Sequence, residues 1–298
     1  MFECLLVVCL LFGIPGNANS GEHSVAVVVS DRIRPYMQVL KGLEQGLEND
    51  SLAVFYLVPS ENNDRVSAAL IKGEYDLYVA IGPEAGDLIW SLETEKGKGK
   101  IYSAILDPHM TLGKEQQEEQ EEQDRAGCGV SLQIPVSIQL AEISGALPGV
   151  KRVGLLFDRA YNGTFFENAR ISGKMLGIDL IPLAVDSKKD IPDILKKHLD
   201  TLDCIWMVPD RTVISEKIVQ YVVKQALYLK KGVIGYNSFF LKSGAVFAFE
   251  FDYTRIGFQT SELVNDYFNG RHCVNPVPFF NRGINIKVAR TIGFRVEE

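Results

Sequence analysis

Polar and aromatic residues follow the ends of two apolar runs near the middle of the second half of this sequence. Val233-Ile234-Gly235 leads into Tyr236-Asn237-Ser238, and Ala245 to Phe249 leads into Glu250-Phe251-Asp252-Tyr253. Short β-branched and aromatic runs bounded by Gly and polar residues are typical of buried strands. An open α/β sheet binds its ligand outside the carboxyl ends of its strands. The sequence therefore predicts a small-molecule site built from strand ends.

Residue patterns that would indicate enzyme chemistry are missing from the sequence. It has no G-x-x-x-x-G-K-[ST] loop, no G-x-G-x-x-G after a strand, no G-x-S-x-G turn and no H-E-x-x-H helix. Its four histidines are dispersed and give no metal-ligand spacing. Nothing in the arrangement of the strand-end carboxylates singles out a nucleophile or base. We therefore expect no catalytic residue, no metal site and no cofactor. These carboxylates are Asp107, Asp158, Asp210, Glu250 and Asp252.

Length and charge restrict the class of protein. A chain of 298 residues has room for two domains of about 100–150 residues each. The formal net charge of -7 argues against a dedicated nucleic-acid-binding protein. Much of that charge comes from the run 114–125, KEQQEEQEEQDR, which we interpret as an acidic low-complexity loop between the domains.

The first residues indicate the compartment. Leu5 to Ile14 is an apolar run too short to span a membrane, and small residues follow it, so residues 1–20 are predicted to be a signal peptide. The alternative is a buried first strand, because no Lys or Arg precedes the run. Val8 precedes Cys9 where a lipoprotein needs a small residue, which argues against lipid anchoring.

The remaining cysteines are few and scattered. Cys128, Cys204 and Cys273 form an odd, widely spaced set, which predicts neither a disulfide framework nor a metal site. Cys204 lies in an apolar run and is predicted to be a small core residue.

Strand and helix patterns alternate along both halves of the chain. Ser24 to Val29 is a near-continuous apolar run, as expected of a central parallel strand buried on both faces. A helical pattern follows it, and the alternation continues; a second series of the same kind begins at Val153. The predicted fold class is α/β, with two doubly wound parallel-sheet lobes and a ligand cleft between them.

Five segments of the sequence resemble the substrate-binding proteins of ABC transporters, in the branch that binds tryptophan and related aromatic amino acids. They occur in the family's order and at roughly its spacing, between about Gly127 and Val296, while the first hundred residues match more loosely. The segments are GVSLQIPVSIQL (129–140), LPGVKRVGLLFD (147–158), WMVPDRTVIS (206–215), GYNSFFLKSGAVFAF (235–249) and GINIKVARTIGF (283–294).

The resemblance implies a type I periplasmic-binding-protein fold with three crossovers between lobes. It implies a first lobe of residues 21–130 plus 250–280 and a second of 131–249 plus 281–298. A small solute would bind in the cleft, which hinge closure would enclose. The protein would be a periplasmic or extracytoplasmic monomer that delivers its solute to an ABC permease.

The sequence departs from the family pattern at three places. Gly82-Pro83-Glu84 stands where members often carry Gly-Thr-Pro. Ser131-Leu132 replaces the common Ser-Asp, and Asp210-Arg211-Thr212 replaces Asp-Asn-Thr. Two polar groups are lost and two charges are gained.

For an amino-acid-like ligand, the carboxylate needs N–H groups or a hydroxyl, and the ammonium needs a carboxylate. Ser131 and the amides near Glu84-Ala85 are candidates for the first task, and Asp210 or Glu250 for the second. Tyrosine rings offer flat faces to an aromatic body or a cation. The predicted ligand-binding residues are Ser30, Tyr36, Gly82, Glu84, Ala85, Asp107, Ser131, Tyr161, Asn162, Asp210, Tyr236, Asn237, Glu250 and Tyr253.

Several of these residues have a purely structural alternative. Gly82-Pro83 also fits an ordinary strand-to-helix turn. Asp210 also fits a helix cap after Pro209, and Tyr253 also fits packing at a helix start beside an Asp252 N-cap.

Three functions are compatible with the sequence. The first is an extracytoplasmic solute-binding protein of an ABC transporter. The second is a ligand-sensing module of the same fold that feeds a receptor or kinase. The third is an enzyme on the same scaffold, which lacks support because the sequence shows no catalytic motif.

Overall fold

The computed structural model describes residues 23–47, 51–58, 63–93, 98–112 and 127–297. The predicted signal peptide (1–20) and acidic loop (114–125) lie outside these ranges. No helix in the described part of the chain is both long and apolar enough to cross a membrane. The described residues form two β-sheets, each packed between helices.

The first sheet is wholly parallel, with the strand order β2-β1-β3-β4-β5. Its central strand β1 has Val25, Val27 and Val29 in the core on one face and Ala26 and Val28 in the core on the other. This burial on both faces explains the near-continuous apolar run. The strands are β1 Ser24–Val29, β2 Ser51–Tyr56, β3 Leu77–Ile81, β4 Gly99–Ile105 and β5 Cys128–Ser131.

The second sheet has the order β11-β10-β9-β8-β6-β7. Its strands are parallel except β11, which pairs antiparallel with β10 at the edge. Two parallel-stranded sheets with interleaved helices confirm the predicted fold class, and the antiparallel edge strand is an addition to it. The strands are β6 Arg152–Asp158, β7 Asp179–Val185, β8 Cys204–Met207, β9 Gly232–Gly235, β10 Phe247–Phe251 and β11 Phe280–Ile284.

Eleven α-helices of the described residues cover the two sheets. A short 3-10 helix, Leu199–Thr201, precedes β8. The helices are α1 Arg34–Gly46, α2 Asp64–Lys72, α3 Pro83–Ser91, α4 Pro108–Leu112, α5 Val136–Ala146, α6 Arg159–Met175, α7 Ile191–His198, α8 Glu216–Tyr228, α9 Ser238–Ser243, α10 Tyr253–Phe268 and α11 Ile286–Ile292.

Helix α10 returns the chain from the second sheet to the first. It follows β10, yet its buried residues Ile256, Leu263 and Val264 belong to the core under the first sheet. It packs closely on α1 because both helices place a glycine at the contact. A Cβ on Gly42 would overlap the Thr254 carbonyl oxygen, and one on Gly257 would overlap the Val39 carbonyl oxygen.

A disulfide joins Cys128 at the start of β5 to Cys273 after α10, across a sequence separation of 145. The expectation that the three cysteines form no disulfide was therefore wrong. The spacing of the cysteines gave no signal, because the return of α10 to the first sheet creates the proximity. Cys204 is free and fully buried in the core, as predicted.

We expect Gly257→Ala to lower the free energy of unfolding by about 1–3 kcal/mol, because the added methyl group must push the α1 backbone away. Gly163→Ala in α6 is the control, since a Cβ there meets nothing within 4 Å. That change should be neutral or stabilise by about 0.5–1 kcal/mol. Urea denaturation measures both. Equal stability of the two variants would contradict the close α1–α10 contact.

Candidate functional site

A cavity of about 600 Å³ lies between the carboxyl ends of the two sheets. Leu106 and Asp107 line it after β4, Tyr236 lines it after β9, and Phe249 lines it from β10. The segments that join the sheets complete the wall, with Leu132 before α5 and Val277 before β11 among them. Ligand sites of α/β proteins lie at this edge of a sheet. The cavity is therefore the candidate functional site.

Rings and aliphatic side chains form most of the cavity wall. Phe165 and Phe249 face it, and Phe165 packs edge-on against the fully buried Trp206 at 5.5 Å between ring centroids. Among the described residues that line the cavity there is no Lys or Arg. Its polar side chains are mainly amides and hydroxyls. Such a wall suits a largely apolar organic molecule with a few hydrogen-bonding groups.

Four of the predicted ligand-binding residues come together in this wall: Asp107, Ser131, Asn162 and Tyr236. Asp107 accepts a hydrogen bond from the Met110 N–H through Oδ1 at 3.1 Å, which caps α4. Ser131 accepts one from the Gln133 N–H at 3.3 Å. Each of these side chains keeps further hydrogen-bonding capacity, because a carboxylate accepts at two oxygens and a hydroxyl also donates.

The bend in the first turn of α6 aims Asn162 at its partners. Its backbone leaves helical geometry at φ -123° and ψ 20°. Its Nδ2 donates to the Pro209 carbonyl oxygen at 3.1 Å and to Asp210 Oδ2 at 2.8 Å. The Asn162 side chain thus connects the cavity wall to the turn after β8.

Asp210 is buried and does not line the cavity. Its carboxylate accepts four hydrogen bonds, from the backbone N–H groups of Asp158, Thr212 and Val213 and from the Asn162 amide, at 2.8–3.1 Å. Four donors on two oxygens use most of the accepting capacity of the carboxylate. The predicted helix cap is wrong, because α8 begins at Glu216 and Ser215 is its N-cap; Asp210 instead holds the turn 211–213. Its filled accepting capacity argues against contact with a ligand ammonium.

A second group of predicted residues lies at the carboxyl ends of β1 and β3, outside the cavity wall. The Ala85 N–H donates to Ser30 Oγ at 2.8 Å, so one of the amides expected to meet an anion already has a partner. Gly82 has φ 91°, a conformation that only glycine adopts easily. A Cβ there would also lie 2.8 Å from Cζ of Tyr36.

The charges around Tyr36 are negative. Burial, with the carboxylate of Glu84 as the next cause, raises the pKa of Tyr36 to about 12. Burial also raises the pKa of Tyr253. Asp252 accepts a hydrogen bond from the Arg255 N–H at 3.0 Å and so caps α10, which supports the packing interpretation of Tyr253 at the helix start.

The remaining predicted residues lie away from the cavity wall. Tyr161 is 55% exposed, with the Arg211 guanidinium 5.7 Å from its ring centroid. Asn237 caps α9 by accepting a hydrogen bond from the Phe239 N–H at 3.0 Å. The Glu250 carboxylate packs over Gly283 of β11.

The lining residues of the segment between α10 and β11, notably Asn275 and Val277, were not predicted from the sequence. Neither were Tyr102 in β4 and Phe165 in α6. Neither Asn275 nor Val277 follows a strand, so the strand-end rule does not reach them. The run 275–278, Asn-Pro-Val-Pro, was the available signal, because two prolines mark an extended segment.

The sequence profile of the family described as ABC transporter substrate binding protein matches residues 25–289. The chain belongs to that family. Membership implies a small-molecule ligand and an ABC permease as partners. No curated protein sequence matches the chain.

Solved structures of low sequence identity share the fold of this substrate-binding protein. An ABC domain from Streptococcus pneumonia in complex with L-Trp is 20% identical with a TM-score of 0.61, over 93% of this chain and 97% of that one. A ligand-free, open substrate-binding protein with adhesive properties from Clostridium difficile is 15% identical with a TM-score of 0.73, over 92% and 95%. A conserved domain protein from Vibrio cholerae is 22% identical with a TM-score of 0.60, over 93% and 97%. They support the type I periplasmic-binding-protein fold.

We expect Asp210→Ala to lower the free energy of unfolding by about 1–3 kcal/mol, because buried N–H groups would lose their acceptor. Asp193→Ala in α7 is the control, since that side chain is exposed and should change stability by less than about 0.5 kcal/mol. Chemical denaturation measures both. A stable Asp210→Ala variant would contradict the role of Asp210 in holding the turn after β8.

Stability should fall as the pH rises from 10 to 12. The pKa values of Tyr36, Tyr102 and Tyr236 are raised from 10.0 to about 12 by burial, so these phenols ionise in the unfolded chain first. The unfolded state then binds fewer protons, and the free energy of unfolding decreases with pH in that window. Tyr36→Phe should lessen the decrease, and Tyr228→Phe, at a site 84% exposed, should not. Denaturation at several pH values measures this decrease. If Tyr36→Phe and the unsubstituted protein lose stability equally between pH 10 and 12, the role of Tyr36 is contradicted.

Proposed function

We propose that this substrate-binding protein captures an amino acid or a related solute in the cavity between its two sheets and passes it to the permease of an ABC transporter. The observation that carries the proposal is the cavity itself. Its volume of about 600 Å³ fits a molecule of that size, and both sheets contribute to its wall.

The cavity chemistry supports a solute with an aromatic or apolar body. Phe165, Tyr236 and Phe249 offer rings, while Asp107 and Ser131 offer polar groups in the wall. The Streptococcus pneumonia relative was solved with L-Trp, which makes tryptophan the first solute to test. Leu132 lines the cavity where family members commonly carry Asp, so we expect the selectivity to differ from that relative.

We assign one lobe to each sheet and propose that the lobes close around the solute by a hinge movement. The return of α10 to the first sheet supports a first lobe made of two chain segments. Because β10 ends at Phe251 and β11 begins at Phe280, this first lobe takes residues 252–279 of the later chain. The rest of the chain after β5 forms the second lobe.

We place the protein outside the cytoplasm, in keeping with the work of ABC transporter substrate-binding proteins. The Cys128–Cys273 disulfide supports this location, because disulfides persist in oxidising compartments. The predicted signal peptide of residues 1–20 would direct export.

A solute at 100 times its dissociation constant should stabilise the fold by about 2.7 kcal/mol, which thermal denaturation detects. We expect a hit among L-tryptophan, other amino acids, their amides and nucleosides. Mass spectrometry of the denatured protein, purified without refolding, should identify any co-purified solute. If none of these solutes raises the melting temperature and no solute is recovered by mass spectrometry, the proposal is contradicted.

A cavity-blocking pair of variants ties binding to this site. Asn168 lines the cavity, so Asn168→Trp should abolish the thermal shift. Glu167→Trp, one residue earlier on α6, is the control, because Glu167 is absent from the wall and pairs with Arg170 on the surface. Loss of the shift in both variants would place the solute elsewhere.

A further inference from the structure

The segment between α10 and β11, residues 269–279, crosses from the first sheet to the second and forms part of the cavity wall through Pro276 and Val277. A connection of this kind has to bend when two lobes move. Three sets of side-chain interactions nevertheless attach it to the first sheet and its helix α10.

The first interaction is covalent. Cys273 is bonded to Cys128, the first residue of β5. Since β5 is hydrogen-bonded into the first sheet beside β4, the disulfide fixes the segment to that sheet at Cys273.

The second set of interactions comes from the Asn275 side chain. Its Oδ1 accepts a hydrogen bond from the Gly129 N–H at 2.9 Å. This N–H lies on the edge of β5 that faces away from β4. Its Nδ2 lies 3.4 Å from Tyr102 Oη and 3.4 Å from the Gly127 carbonyl oxygen, both as acceptors. The amide thus continues the hydrogen-bonding edge of the first sheet where the strand order ends.

The third set of interactions comes from Gln259 of α10, which is 7% exposed. Its Nε2 donates to the Val277 carbonyl oxygen at 2.8 Å, and its Oε1 accepts the Phe279 N–H at 3.0 Å. One buried amide therefore bonds the segment at two points, in the way a neighbouring strand would. Breaking buried hydrogen bonds of this kind is costly.

After Phe279 the chain bonds to the second sheet instead of the first. The Asp252 N–H donates to the Phe279 carbonyl oxygen at 3.0 Å, and in the next pair Phe251 lies opposite Phe280 in the β10–β11 ladder. The two later connections between the sheets therefore run as one antiparallel ribbon, and the segment joins the second sheet only at Phe280.

We propose that residues 269–279 are a clamped wall that moves as part of the first-sheet unit. The disulfide, Asn275 and Gln259 hold this wall, so the later crossovers bend only where the ribbon enters the second sheet, at Phe251–Asp252 and Phe279–Phe280. Pro276 and Val277 then meet the solute as a preformed surface. The bending points and the preformed surface rest on the proposed lobe closure and solute binding, whereas the clamp itself does not.

Hydrogen exchange of the ligand-free protein, followed by mass spectrometry, tests the clamp without any solute. In the doubly substituted Cys128→Ser/Cys273→Ser protein, we expect the Gly129 and Phe279 amides to exchange about tenfold faster or more, because their acceptors on Asn275 and Gln259 are no longer held in place. Amides of α6 and β8 should keep their rates. Unchanged exchange of both amides would overturn the clamp, and so would a uniform increase across the chain, since that would show that the disulfide stabilises the whole fold rather than this segment.

Amide substitutions separate the clamp from the disulfide. With the disulfide intact, Asn275→Ala should accelerate exchange of the Gly129 amide, and Gln259→Ala should accelerate exchange of the Phe279 amide. Gln259→Glu keeps the acceptor for the Phe279 N–H but loses the donor to Val277, so it should give an intermediate rate. Asn269→Ala is the matched control, because Asn269 is exposed and donates only to the Asn265 carbonyl oxygen within α10. Equal rates in Asn275→Ala and Asn269→Ala would refute the role of Asn275.

The solute assays and the exchange assays fail independently. If no solute binds while the Gly129 and Phe279 amides stay protected, the proposed function is contradicted and the clamp stands. If the solute binds while both amides exchange freely, the clamp is contradicted and the proposed function stands.

Discussion

The close contact between α1 and α10 is the constraint on which the two-sheet architecture depends. Helix α10 must leave the second sheet and dock beside α1, and glycines at positions 42 and 257 let the two backbones approach. Thr260 of α10 then bonds Ser103 of β4 at 2.7 Å in the buried interior, which fixes the register of the helix on the first sheet. The position of the segment 269–279, and with it one wall of the cavity, follows from this docking.

The polar residues at the strand ends serve two purposes, and Asp107 serves both, because it caps α4 and lines the cavity. Where a helix begins directly after the strand, its free N–H groups recruit the side chain, as with Asp158, Asn237 and Asp252. Where the strand is followed by a segment that leads to the other sheet, the side chain faces the cavity, as with Ser131. The same pattern in the sequence therefore contains both helix caps and candidate ligand contacts.

Local patterns in the sequence were sufficient for the fold but only partly for the site. The apolar run 24–29 and the strand-helix alternation predicted two parallel sheets, because burial on both faces leaves a direct trace in the sequence. The antiparallel β11 and the Cys128–Cys273 pair left no such trace, since both depend on where α10 lands. For the same reason Asn275, which no strand precedes, was not foreseen. The strand-end rule placed Asp107, Ser131, Asn162 and Tyr236 in the cavity wall. It cannot distinguish them from Asp210, whose donors come from the two segments 158–162 and 212–213.

The disulfide also gives the oxidised chain a particular topology. With a sequence separation of 145, it closes a covalent ring that contains β5 to β10, while β1 to β4 precede the ring and β11 and α11 follow it. Closing a loop of that length lowers the conformational entropy of the unfolded chain, which in the chain-entropy model raises the free energy of unfolding by about 5 kcal/mol. A single proteolytic cut inside the ring would leave both fragments joined. The second sheet therefore consists of five strands from within a closed loop and one strand, β11, that must be added from a free tail.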